Sequence, residues 1–327
     1  MSNLERDPIE LVMVCTSETD AAAPVIRLQP RDVPLGGPRA MTVRRTLPQR
    51  GRSTIGGWCF VDHYGPDFVT RSGGMFVPPH PHTGLQTVTW LFEGEVEHRD
   101  STGSHARVRP GELNLMTAGR GISHSEVSTP GTRALHGVQL WIALPERFRR
   151  QAPHFESHRI PLVDVGGVAV RVFAGYLAGQ QAAASVYSPL LGAQLDLPAG
   201  ESIELEVDPA FEFGLLVDAG TVRFEGATVE RWELGYVEPG RRRIRIENPS
   251  DAPARVLLLG GEPLGEQIVM WWNFIGRSHE EIVAFRTQWQ SDVIDGEDAD
   301  GRFGTVAGYD GDPLPAPALP TVRLKPR

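Results

Sequence analysis

The stretch "TVTWLFEGEVEHRDSTGSHARVRPGELNLM", residues 87–116, breaks into short apolar or alternating runs separated by turn formers. "TVTWLF" stops at "EGE", "VEHRD" at "STGS" and "ARV" at "RPGE", while "LNLM" runs into "TAGRG". Runs of this length suit strands. Strands that recur about every 8 to 12 residues predict an antiparallel sheet that folds back on itself as a sandwich or barrel.

The same grammar extends over residues 26–145, where "ALHGVQLWIALP" closes the series at Pro145. A polar stretch, "ERFRRQAPHFESHRIP", opens a linker over 146–167. "AQLDLPAGESIELEV", "EFGLLVDAGTVRFEG" and "RVLLLGG" then repeat the pattern within 168–262, so the fold class is all-β with two barrels in tandem. Residues 1–25 read as an N-terminal extension. Residues 263–327 read as a short helix and a proline-rich tail packing back on the barrels. Within that segment Ile282, Phe285 and Trp289 share a helical stripe, and Ser278 with Glu281 forms a capping-box start.

Composition narrows the function. The 36 glycines and 27 prolines among 327 residues favour frequent turns over long helices. A formal charge of −9 argues against direct nucleic-acid binding, which depends on neutralising phosphates. The basic cluster Arg241–Arg243 is short and reads as a solvated hairpin end. Cys15 and Cys59 lack metal or disulfide spacing, and "IELVMVC" is too short to span a membrane, so a cytoplasmic location is expected.

Chemistry concentrates in two segments. In "PPHPHTGLQ", His80 and His82 are two residues apart, so in an extended chain both leave the same face. His124 and Glu126 in "GISHSEVS" share that offset. Two such segments can converge inside a barrel as three neutral imidazoles and a carboxylate, a donor set suited to Fe, Ni, Mn, Co or Zn. His63 and His136, beside apolar strand residues, are expected in the core or behind a ligand. His98 and His105 flank the "DSTG" turn and are expected to face solvent. No histidine lies between His158 and His279, so the second barrel is expected to lack a site of this kind.

The segment "GGMFVPPHPHTGLQTVTWLFEGEVEHRDSTGSHARVRPGELNLMTAGRGISHSE", with "MTVRRTLPQ", "FVDHYGP" and "LLLGGEPLGEQIVM", closely resembles the pirins, a branch of the cupin superfamily. The resemblance implies a bicupin with one divalent metal ion in the N-terminal barrel, Fe(II) foremost, held by His80, His82, His124 and Glu126. It also implies two candidate activities. One is a quercetin 2,3-dioxygenase-like reaction on a small aromatic or enol substrate with O2, in which Glu126 would be catalytic as ligand and base in turn. The other is metal- or redox-dependent binding of a protein partner in the manner of a transcription cofactor. Trp90, Met116 and Phe60 are candidate pocket walls. Three features depart from the family: Gln86 stands where a glutamate beside the metal is common, "WWNFIGRSHEEI" replaces the usual ending after "GEQIVM", and the N-terminal extension before Pro24 has no counterpart in it.

Overall fold

The computed structural model describes residues 12–14, by their backbone alone, together with 24–35 and 41–326. Cys15, like most of the expected N-terminal extension, lies outside the described residues.

Two barrels form as the turn spacing predicts. The first pairs a seven-stranded sheet with a four-stranded one made of Phe76–His82, Ile122–Ser128, Val96–Asp100 and His105–Val108. The second pairs an eight-stranded sheet with the four strands Ser202–Glu206, Arg243–Glu247, Val222–Phe224 and Ala227–Val229. Sheet membership crosses the expected segments. Ile26–Leu28 pairs with Leu234–Val237 in the second barrel, and Val12–Val14 pairs with Ile26–Leu28. Within 146–167, His154–Arg159 extends the first barrel's large sheet and Val163–Val165 the second's.

The large sheets pack face to face, and strand parity explains how. Along Leu85–Glu93, Val88 and Trp90 point to the interface, where they meet Phe173, Leu190, Leu216, Leu257 and Leu259 of the second barrel. Thr87 and Thr89 point the other way, into the first barrel. Both faces of this strand are therefore buried. Trp58 Nε1 donates across the interface to the carbonyls of Leu191 at 3.0 Å and Gly260 at 3.2 Å, and Trp90 Nε1 donates to Gln194 Oε1 at 2.8 Å. Gly192 makes room for the Phe173 ring, since a Cβ there would sit 2.3 Å from it.

A polar clamp crosses the same interface. Nε2 of His63 and Nε2 of His136, both from the first barrel, lie 2.6 and 2.5 Å from Oδ1 of Asp218 in the second. Arg255 donates to the other oxygen at 3.3 Å. Both histidines thus have the core role expected of them. The cluster also has the composition of a metal site, so the second barrel does contribute to one such grouping, through a carboxylate. Here, however, the Nε2 atoms of both histidines already hydrogen-bond one carboxylate oxygen and Arg255 bonds the other.

The C-terminal segment closes over the first barrel. Helix His279–Gln288 begins at Ser278, whose side chain accepts from the Glu281 N–H, and buries Ile282 and Phe285. A π-helical turn, Trp289–Ile294, continues it and carries Trp289 of the expected stripe. Phe303 and Ala316, from the segment after the helix, share a core with Trp272, Phe274, Ile282 and Trp289.

The clamp sets a pH dependence. Burial holds the His63 imidazole below its ordinary value, while Asp218, despite burial that opposes it, is held below the carboxylate range by its bonds to His136 and His63. Both groups bind protons more readily in the unfolded chain, so the stability they contribute is lost as pH falls, first below about 6.5 and again below about 4. Thermal melts between pH 7.5 and 5 should show this decline. Asp218→Ala should cost about 3 kcal/mol or more by denaturant unfolding at pH 7.5.

Candidate metal centre

The strand Phe76–His82 contains three prolines, which only an edge strand tolerates. It is an edge strand, paired on one side with Ile122–Ser128. Its outer side is covered by the C-terminal segment, through a bridge between Thr83 and Phe274 and a bond from Leu314 N–H to the Pro79 carbonyl at 2.8 Å. Gly84, at φ +69°, ends the strand in a turn where a Cβ would sit 2.5 Å from the Ile275 carbonyl oxygen.

His80 and His124 are directly opposed across the two strands, with ring centroids 4.4 Å apart, and His82 lies 5.1 and 5.0 Å from them. All three are fully buried. One nitrogen from each lies within 4.8 Å of the others. The structure thus brings together three of the four residues expected from the sequence.

The second nitrogen of each ring settles what the first can do. His80 Nδ1 is 2.8 Å from the Pro78 carbonyl, and His82 Nδ1 is 3.1 Å from the Asn273 carbonyl. A carbonyl only accepts, so each Nδ1 carries the proton and each Nε2 keeps a free lone pair. His124 Nδ1 faces His98 Nδ1 at 3.4 Å, and His98 Nε2 is 3.2 Å from Asp100 Oδ2. With His98 donating to the carboxylate, its Nδ1 accepts from His124, and the His124 Nε2 is freed as well. None of the three Nε2 atoms has a hydrogen-bond partner. Burial holds His80 at about 3 and drives His82 and His124 well below the ordinary histidine value, so all three rings are neutral at pH 7. Three buried, neutral, convergent lone pairs without partners fit a divalent metal ion.

Glu126 is buried on the same strand as His124 but stands outside the three-nitrogen group. Its Oε1 is 3.1 Å from Thr89 Oγ1, which is itself 2.9 Å from Gln139 Oε1. The one hydroxyl proton can serve either acceptor.

Several expectations are corrected. His98 is 3% exposed rather than solvent-facing and stacks on Phe155 with centroids 4.5 Å apart. The alternation in "VEHRD" carries the missed signal: Val96, His98 and Asp100 are the buried residues of that strand. His105 is exposed as expected. Gln86 does not border the metal ligands. The Gly84 turn separates it from His82, and its parity is that of Val88 and Trp90, so its Nε2 reaches Thr117 Oγ1 and the Ser185 carbonyl, each at 2.9 Å. Trp90 belongs to the inter-barrel core for the same reason. Phe60 and Met116 do lie near the site. They share a cluster with Trp141, which meets His82 edge-on at 5.1 Å and stacks on Phe60 at 3.9 Å.

Comparison with known proteins agrees with this architecture. The family model for Pirin matches residues 40–142, and that for the Pirin C-terminal cupin domain matches residues 192–294. A Pseudomonas aeruginosa protein provisionally named quercetin 2,3-dioxygenase PA1205 is 45% identical over 295 residues, 90% of each chain. A pirin-like protein of Caulobacter vibrioides is 35% identical across 80% of this chain and 92% of its own. The crystal structure of quercetin 2,3-dioxygenase from Acinetobacter baumannii superposes with a TM-score of 0.84 at 36% identity, covering 92% of this chain and 97% of that one.

Two substitutions test the geometry. His124→Ala should abolish stoichiometric metal binding by elemental analysis. His98→Leu, which leaves every proposed ligand in place, should weaken metal affinity about 10- to 100-fold in a chelator competition.

Proposed function

The chain belongs to the pirin family, and on that premise we propose that its N-terminal barrel is a metal-dependent dioxygenase centre of quercetinase type, acting on a flavonol or related enol with O2. The observation that carries this reading is the set of three orphaned Nε2 atoms beside a buried carboxylate and an aromatic wall. The names of the Pseudomonas and Acinetobacter relatives support the same substrate class. The proposed ion is Fe(II), with Ni, Mn, Co or Zn as other occupants of such a donor set. Among the described residues no helix is long and apolar enough to cross a membrane.

His80, His82 and His124 would hold the ion through Nε2, and Glu126 would complete the set or stand beside it. The bound metal would supply positive charge to stabilise an enolate and the redox partner for dioxygen. The substrate's hydroxyl proton passes to the Glu126 carboxylate, where Thr89 Oγ1 donates to Oε1 and holds the group in place. Phe60 and Trp141, stacked within 12° of parallel, together with Met116, would form an apolar wall that keeps bulk water from the proton-transfer site. His98 and Asp100 act through His124, fixing its tautomer.

Metal-replete protein should consume dioxygen in step with loss of quercetin absorbance. Glu126→Gln should lower that rate about 10²- to 10⁴-fold. If metal-replete protein leaves quercetin and related enols untouched in air, the dioxygenase reading fails. Capture of a protein partner that depends on the metal state would then favour the regulatory reading.

A further inference from the structure

The sheet facing the metal ligands carries a second polar feature. Strand register sets Arg45, Asp62, Gln139, Thr89 and Asn114 side by side on neighbouring strands. Directly opposed residues share a face, and the contact between Thr89 and Glu126 marks that face as the barrel interior. A parallel row beside it, Phe60, Trp141, Thr87, Met116 and Phe155, is mostly apolar.

The polar row divides in two. Arg45 and Asp62 neutralise each other through two contacts of 2.7 Å. Asn114 and Gln139 are different: neither amide atom of Asn114 has a partner, and neither does Gln139 Nε2, although the residues are 3% and 0% exposed. A buried polar group without a partner carries a desolvation penalty that a merely structural position would shed by becoming apolar.

We propose that Asn114 and Gln139 form a recognition subsite for the neutral hydroxyl or carbonyl groups of a planar aromatic ligand whose reacting end lies at the histidine cluster. A carboxamide both donates and accepts, which matches a phenol or ketone. An acceptor-only anion would leave the Asn114 amide oxygen unsatisfied, and the cation in this row, Arg45, is already neutralised by Asp62. Thr89 lies between the two amides, so the strand spacing sets them about 10 Å apart, wide enough to read two separate polar groups. The apolar row would lie under the rings.

This subsite rests on the flavonol reading, and binding without turnover separates the two. Affinities of 3-hydroxyflavone, which carries the enol alone, and quercetin, which adds ring hydroxyls, would be measured by fluorescence titration of anaerobic, Fe(II)-loaded protein. Wild-type protein should prefer quercetin about tenfold. Asn114→Leu and Gln139→Leu should each cut that preference to about twofold while leaving 3-hydroxyflavone affinity and the ligand-free melting temperature unchanged, or the latter raised. Equal affinity of wild-type protein for both compounds, or variants that retain the preference, would overturn the subsite and leave the flavonol reading standing. A lower melting temperature in the variants would assign the amides a structural role and overturn it too. Failure of either compound to bind would sink the flavonol reading, and the subsite with it.

Discussion

A metal site made of imidazoles needs each ring neutral, with its proton on the far nitrogen, and here one arrangement achieves both. Burial makes protonation unfavourable, and fixed acceptors hold the Nδ1 protons of His80 and His82. These acceptors come from separate parts of the chain: a carbonyl two residues back for His80, a carbonyl of the C-terminal segment for His82, and a neighbouring histidine backed by Asp100 for His124. The position of that C-terminal segment therefore bears directly on the site. It covers the proline-rich edge that cannot pair fully, and it supplies the Asn273 carbonyl.

The second barrel has a different part. The central strands of the first barrel's large sheet, such as Leu85–Glu93, are buried on both faces, so their outward side chains require an apolar partner surface, which the second large sheet provides. Asp218 then adds a charged group to an interface otherwise held by apolar packing and by the hydrogen bonds of Trp58 and Trp90. Among the described residues the two barrels carry one convergent trio of free imidazole nitrogens, since no histidine lies between His158 and His279.

Much of this was legible from residues 78–126. Turn spacing revealed the strands, and the two-residue offsets placed His80, His82 and His124 on inward faces. What escaped the sequence reading has physical reasons. Family resemblance draws attention to Gln86 and nearness in sequence makes Trp90 a candidate pocket wall, but the left-handed turn at Gly84 starts a new strand whose parity must be counted afresh. His98 sat beside a turn, and its alternation with Val96 and Asp100 outweighed that proximity. Asn273 and Asp218 could not be found by spacing, because they reach their partners across 191 and 155 positions. The pairing of 154–159 with the first barrel escaped for the same reason, since a polar edge strand carries little apolar signal.

The most direct test is crystallographic. Anomalous difference maps collected at the absorption edge of the ion in metal-loaded protein should show one peak about 2.1 Å from the Nε2 atoms of His80, His82 and His124. The same maps should be empty at His63, His136 and Asp218. A peak at that second cluster, or none among the three imidazoles, would contradict the account.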